Sequence, residues 1–276
     1  MNNIKPDQYG PWALIAGGSE GIGLCFAREL AAAGFNLLLL ARRNEPLQAA
    51  RQQLCSEFPV AIRTHTLDLT ATDLEEQLAG IISGLEIGLL IYNAGAMHGV
   101  GLFLDEPLEK ARKLIRLNCH GPVVFSHHLG NAMRARGRGG IILLSSLSGL
   151  TGGAYVATYA ATKAFDIVLA ESLWAELAPH GVHVLGLVAG ATDTPAMAAT
   201  GVSFASGEAM DPADVARAGL QQLPHGPVHI AGDGNRMAAS LLRGDDRRQS
   251  IALMTAGAAG MYGLAIPEIP DSETPG

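Results

Sequence analysis

Short apolar runs recur along the chain, separated by longer stretches in which apolar residues return every three or four positions. The runs are "WALIAGG", "NLLLLAR", "AIRTHTLD", "IGLLIYNAG", "GIILLSS", "VHVLGLVAG" and "PVHIAG", which read as seven strands. Between them lie "GIGLCFARELAAAG", "EPLQAARQQLCSEF", "ATDLEEQLAGIISG", a segment from Pro107 to about Arg136, another from Tyr155 to Pro179, and "DPADVARAGLQQL". These carry helical spacing. Apolar strands that alternate with helices demand a parallel sheet buried on both faces, because every crossover lays a helix over it. The pattern therefore predicts an α/β fold, a Rossmann-type doubly wound seven-stranded sheet with its ligand at the carboxyl ends of the strands. After "HIAGDGN" no strand pattern remains, and the tail reads as one short and one longer helix, with Asn235 and either Asp245 or Asp246 as N-caps. No linker divides the chain, so residues 1–234 are expected to form the α/β unit and 235–276 a C-terminal helical extension of the same domain.

Composition narrows the function classes. Of 276 residues, 48% are hydrophobic and 16% charged, enough for a large core and too apolar for disorder. The net charge of -7 argues against a nucleic-acid surface, and the basic "RARGRGG" at 134–140 reads as a helix terminus followed by glycines. Cys25, Cys55 and Cys119 form no Cys-x-x-Cys pair and are expected as small buried residues of a reducing cytoplasm. No run approaches the ~20 apolar residues of a membrane span, and the first ten residues lack a signal core. A soluble cytoplasmic protein without nucleic-acid or membrane partners is the expectation. His127 and His128 are adjacent on a helix and have no ligand spacing, so no metal site is expected; His98 is read as either a pocket contact or a solvated loop residue.

Candidate chemistry begins directly after the first strand, with "AGGSEGIG" at 16–23. Gly17, Gly21 and Gly23 permit a tight turn and the approach of a pyrophosphate to a helix N-terminus, with Ser19, Glu20 and Ile22 in the same turn. Such a corner needs glycine for geometry alone; its place in a doubly wound sheet is what favours a dinucleotide. At the end of the second strand, where a carboxylate would meet a free ribose 2′-hydroxyl, stand Ala41, Arg42 and Arg43. Arginines there suit a 2′-phosphate, so the expected cofactor is NADP(H). Glu20 is a complication, a carboxylate placed to repel that phosphate.

The stretch "YVATYAATK" carries Tyr155, Tyr159 and Lys163. Positions i and i+4 share a helix face, so Tyr159 and Lys163 project together, while Tyr155 has no lysine partner. An ammonium beside a phenol stabilises phenolate and makes a usable proton carrier. Ser145 and Ser146 in "LLSSLSG" fall at the carboxyl edge of the fifth strand, where a hydroxyl can hold a substrate oxygen.

With "YNAG" at 92–95, Ser146 ahead of "YAATK", and "AGATDT" at 189–194, the chain from about Trp12 to Ile230 resembles the short-chain dehydrogenases/reductases. The resemblance implies Tyr159 as acid/base, Ser146 as the oxygen-holding hydroxyl, Lys163 as a ribose contact that tunes Tyr159, and Asn118 of "LNCHG" as support for a proton-relay water. It also implies Asp68 and Leu69 near the adenine, Asn93, Ala94 and Gly95 beside the adenosine ribose, and Thr192 and Thr194 at the nicotinamide. Ala16, Tyr92 and Ala189 depart from the family's threonine, asparagine and proline. The leading reading is a reductase or dehydrogenase for a ketone and its secondary alcohol. Similarity to a subgroup that includes bacterial 7β-hydroxysteroid dehydrogenases implies a bulky lipophilic substrate. A homodimer or homotetramer is expected. The alternative is a non-catalytic, cofactor-sensing or structural protein on the same fold. The segment from Pro195 to Met210 is expected to be a mobile flap over an apolar pocket, whose wall the tail beyond Asn235 helps to complete, unless that tail serves an oligomer surface.

Overall fold

The computed structural model describes residues 4–95, 100–202 and 209–267. All seven expected strands are present: β1 (Trp12–Ala16), β2 (Asn36–Ala41), β3 (Ile62–Thr66), β4 (Ile87–Tyr92), β5 (Gly139–Ser146), β6 (Val182–Ala189) and β7 (Val228–Ile230). They pair in parallel in the order β3-β2-β1-β4-β5-β6-β7, so the chain reverses its winding between β1 and β4. The helices are α1 (Pro6–Tyr9), α2 (Gly21–Ala32), α3 (Asn44–Glu57), α4 (Leu74–Ile82), α5 (Leu108–Ile115), α6 (Gly121–Arg136), α7 (Ala157–Leu177), α8 (Pro195–Ala198), α9 (Pro212–Gln222), α10 (Asp233–Leu242) and α11 (Arg247–Tyr262).

Side chains on a strand alternate between faces, and here both faces are buried. Ala13, Ile15, Leu37, Leu39, Leu89 and Ile91 pack with Phe26 and Leu30 of α2 and Val215 and Leu220 of α9. Their neighbours Leu14, Leu38, Leu40, Leu90 and Tyr92 pack on the other side with Phe125, Leu129 and Met133 of α6. That double burial is why the strands read as unbroken apolar runs.

Some expectations hold and others need correction. The expected helical stretch runs from Leu108 to Arg136, with a π turn at Arg116–His120 between α5 and α6. Tyr155 lies outside α7, which starts at Ala157, and has the left-handed φ of 71° that favours glycine. Gly232, not Asn235, precedes α10 as its cap, and the Asn235 side chain donates to the Ala231 carbonyl at 2.7 Å. Asp246 caps α11 through the amides of Arg248 and Gln249. Cys55 is exposed, and Cys25 and Cys119 are half-buried. The "RARGRGG" tract is the end of α6, closed by Gly137 in the left-handed conformation, with Arg138 on Glu86 at 2.7 Å. Among the described residues, no helix is long and apolar enough to cross a membrane.

Candidate active site

The carboxyl ends of β1, β4, β5 and β6 open into a cavity of about 890 Å³. At its β1 end the glycine turn is fixed from three sides. The Gly17 amide donates to the Leu40 carbonyl at 2.8 Å, and Asn93 Nδ2 donates to the Gly17 carbonyl at 2.9 Å. Gly17 has φ 81°, and a Cβ on Gly23 would fall onto the Gly17 carbonyl oxygen. The turn thus brings the first amides of α2 to the cavity, the arrangement that receives a phosphate. Gly21 and Ile22 line it, while Gly17, Ser19 and Gly23 form the turn behind.

Arg42 and Arg43 follow β2 on the cavity wall, with Glu20 beside them. The Glu20 carboxylate takes the Arg43 guanidinium in an ion pair. Among the described residues Arg42 has no ion pair, so the two arginines are not equivalent. Asp68, beyond β3, accepts from the Thr70 amide at 2.9 Å and its hydroxyl at 2.8 Å. Those bonds, with the Arg42 charge in a smaller part, outweigh burial and hold the Asp68 carboxyl below its usual range. Asp68 and Leu69 are not on the cavity wall; Asn93 and Gly95 are, with Ala94 between them.

Tyr159 and Lys163 project from α7 into the cavity as the i, i+4 spacing requires. Lys163 is only 5% exposed. Its ammonium donates to the Leu144 carbonyl at 2.8 Å and to Asp166 Oδ2 at 3.0 Å. A Cβ on Gly95 would stand 3.1 Å from Lys163 Nζ and 3.5 Å from Asn118 Oδ1, so Gly95, Lys163 and Asn118 converge. Asn118 is fully buried in the π turn and donates to Thr162 Oγ1 at 3.0 Å, which in turn donates to the Tyr159 carbonyl at 2.8 Å. Tyr92, the departure from the family's asparagine, donates its hydroxyl to the Leu117 carbonyl at 2.7 Å and stacks edge-on against Phe125. It therefore ties β4 to the turn that carries Asn118.

The two serines divide. Ser145 is buried and donates to the Lys163 carbonyl at 2.6 Å, holding α7 against β5. Ser146 is half-buried on the cavity wall, and its oxygen accepts from the Ser148 amide at 3.2 Å. Thr192 and Thr194 line the far side; Thr192 is joined to Met210 by an isolated bridge and Thr194 caps α8. Much of the remaining wall is apolar and comes from α11 through Leu253, Met254, Ala258, Met261 and Tyr262, with Leu241 and Leu242 of α10 and Met197 of α8 beside them. Burial, with Tyr159 nearby as a smaller cause, pushes the Tyr262 phenol up.

The family model for short chain dehydrogenase matches residues 11–202. The chain belongs to that family. As a short-chain dehydrogenase it is similar to the 7beta-hydroxysteroid dehydrogenase of Clostridium sardiniense, at 33% identity over 89% of this chain and 95% of the relative. Among solved structures, a 7beta-hydroxysteroid dehydrogenase superposes with TM-score 0.85 at 27% identity, covering 92% and 99% of the two chains. A short-chain dehydrogenase from Sphingobium yanoikuyae in complex with NADPH does so with TM-score 0.75 at 28% identity, covering 88% and 95%.

Sequence reasoning missed three features of this dehydrogenase site. Asp166 was legible as an i+3 partner of Lys163 on one helix face. Tyr262 and the π turn left no local signal, because each depends on contacts distant in sequence. His98 and residues 203–208 of the expected flap lie outside the described residues, and the described start of that segment is the short helix α8.

Proposed function

We propose that this oxidoreductase uses NADP(H) to interconvert a ketone and a secondary alcohol on a bulky lipophilic molecule of the hydroxysteroid kind. The observation that carries the reading is one cavity lined both by Ser146, Tyr159 and Lys163 and by an apolar wall from α10 and α11. The charged side chains on its described lining, Glu20, Arg42, Arg43 and Lys163, come from the glycine turn, the end of β2 and α7, and the α11 wall contributes none. A neutral, largely apolar substrate suits that wall.

The residues present fit the cofactor. The turn of Gly17, Ser19, Glu20, Gly21, Ile22 and Gly23 receives the pyrophosphate, and Arg42 takes the 2′-phosphate in charge-assisted hydrogen bonds. Asn93, Ala94 and Gly95 would flank the adenosine ribose, Asp68 and Leu69 would lie towards the adenine, and Thr192 and Thr194 would meet the nicotinamide. When bound, the cofactor supplies or accepts the hydride.

The chain's own groups do the rest. Ser146 donates to the carbonyl oxygen and holds it beside Tyr159. Tyr159 gives its proton to that oxygen in reduction and recovers it in oxidation. Lys163 keeps a positive charge next to the transfer, and Asn118 anchors the turn of α7 that carries Tyr159. The α11 wall excludes water from the reacting end.

The test follows NADPH absorbance with a panel of ketones of increasing bulk. Oxidation of NADPH by bulky cyclic ketones, abolished in Tyr159→Phe, is the expected result; an inert wild-type protein, or an active Tyr159→Phe, would remove the reading.

A further inference from the structure

Lys163 is held by a second buried charge on its own helix. Asp166 stands one turn further along α7 and is 2% exposed. Its Oδ2 accepts from the Lys163 ammonium at 3.0 Å, and its Oδ1 has no hydrogen-bond partner among the described residues. The same ammonium donates to the Leu144 carbonyl at 2.8 Å. An ammonium has three donors, so with two spent on Asp166 and Leu144 a third is left for the cavity that Lys163 lines.

We propose that Asp166 is a positioning residue of the catalytic set, whose buried carboxylate clamps the Lys163 ammonium, keeps it charged and aims its remaining donor into the cavity. The role rests on the ketoreductase reading of the site, since it acts through Lys163 on the group beside Tyr159.

A buried ammonium without a counter-ion tends to lose its proton, because burial disfavours the charged form. Burial does pull Lys163 down, yet the Asp166 charge, the nearby Tyr159, the hydrogen bond that Lys163 donates to Asp166 and Cys119 together carry it above the ordinary lysine value. Asp166 itself is pushed up by burial, with the Lys163 charge pulling against that. The other titratable groups turned towards the pair are Tyr159 on α7, Cys119 in the π turn and Tyr92 on β4. Burial first, and Asp166 second, push the Cys119 thiol up to about 11. The same two causes, in the same order, raise the Tyr92 phenol, with Cys119 a third. Both are neutral at neutral pH, which leaves Asp166 as the anion in contact with Lys163 among the described residues.

The chain has four lysines, Lys5, Lys110, Lys113 and Lys163, so carbon-13 lysine NMR on the full-length protein reads each one, with Lys163→Arg assigning the signal. In wild type the Lys163 signal should keep its ammonium position beyond the ordinary lysine midpoint of about 10.4. In Asp166→Asn the midpoint should fall by at least about one pH unit, the size of shift that one close opposite charge produces. The alkaline limb of kcat for ketone reduction should fall with it, while KM for the ketone changes less, and Asp166→Glu should restore much of both. A wild-type Lys163 that loses its proton below the ordinary lysine range would overturn the role without any variant. So would an unmoved midpoint or an unmoved limb in a folded Asp166→Asn protein. Because the lysine titration needs no substrate, a protein that reduces no ketone would sink the function above while leaving the Asp166 result readable.

Discussion

At the β1 end of the cavity the ligand-facing surface is made by backbone geometry and a few fixed polar groups, whereas at the α11 end it is made by apolar side chains packed from a distant part of the chain. The Gly17 amide on Leu40 of β2, Asn93 on the Gly17 carbonyl and the close approach of Gly23 set the first. The second depends on α11 settling on the loop ahead of α7: the Ala154 amide donates to Thr255 Oγ1 at 3.0 Å, and a Cβ on Gly153 would stand 2.6 Å from Met254 Cγ. The glycine turn can be recognised within eight residues of sequence, while the α11 wall is held by contacts about a hundred residues apart. Under the proposed function, reaction chemistry and substrate choice are expected to change separately. Substitutions on either side should show that independence.

The largest effect is expected where the two ends meet. Tyr159→Phe removes only the proton-carrying oxygen, so turnover should fall by about 10²–10⁴, the usual contribution of a positioned acid/base. Calorimetry should find NADPH binding nearly unchanged. Next comes the cofactor end. Arg42→Ala should reduce the preference for NADPH over NADH tenfold or more, since charge-assisted hydrogen bonds contribute about 1.5–3 kcal/mol each. Arg43→Ala should lose less, because Glu20 already engages that guanidinium. Equal losses towards both cofactors in Arg42→Ala would mean that Arg42 does not read the phosphate.

What could be read in the sequence follows the same division. The seven strands were legible because burial on both faces leaves unbroken apolar runs, and Tyr159 with Lys163 because helix periodicity alone puts them on one side. The π turn at Arg116–His120 was not, since "KLIRLNCH" continues a helical pattern and the Tyr92 hydroxyl meets the Leu117 carbonyl from outside the helix. Tyr92 looked like a lost polar group; in the fold it is a tether. Glu20 looked like a repulsive charge until Arg43 was placed beside it. Asn235 has the residue type of a helix cap, yet Gly232 starts α10 earlier and leaves Asn235 to bond backward to Ala231. For Tyr92 and Glu20 the residue type was informative and the partner was not, because the partner comes from another element.

At the α11 end, Tyr262→Ala should raise KM for bulky ketones by about tenfold, or roughly 1.4 kcal/mol, with kcat and NADPH affinity changing little. Small ketones, which do not reach that wall, should be nearly unaffected. A uniform fall in kcat for small and bulky ketones alike would show instead that Tyr262 acts on the Tyr159 chemistry.

The smallest effect is expected at the other tyrosine of the pair. Tyr155 lies outside α7, and its hydroxyl donates to the Ala265 carbonyl at 2.6 Å, tying the stretch after α11 to the loop before the catalytic helix. Its left-handed backbone is tolerated because neighbours fix it, among them Ala154 on Thr255. Tyr155→Phe keeps the ring and loses one partly exposed hydrogen bond, which contributes about 0.5–1.5 kcal/mol. Turnover should stay within about threefold of wild type, an effect of under 1 kcal/mol, and hydrogen exchange should rise at residues 264–266 while the amides of α7 remain protected. If Tyr155→Phe cost as much turnover as Tyr159→Phe, the separation of reaction chemistry from the α11 wall would fail, because a residue that only anchors the tail would then be governing the proton transfer.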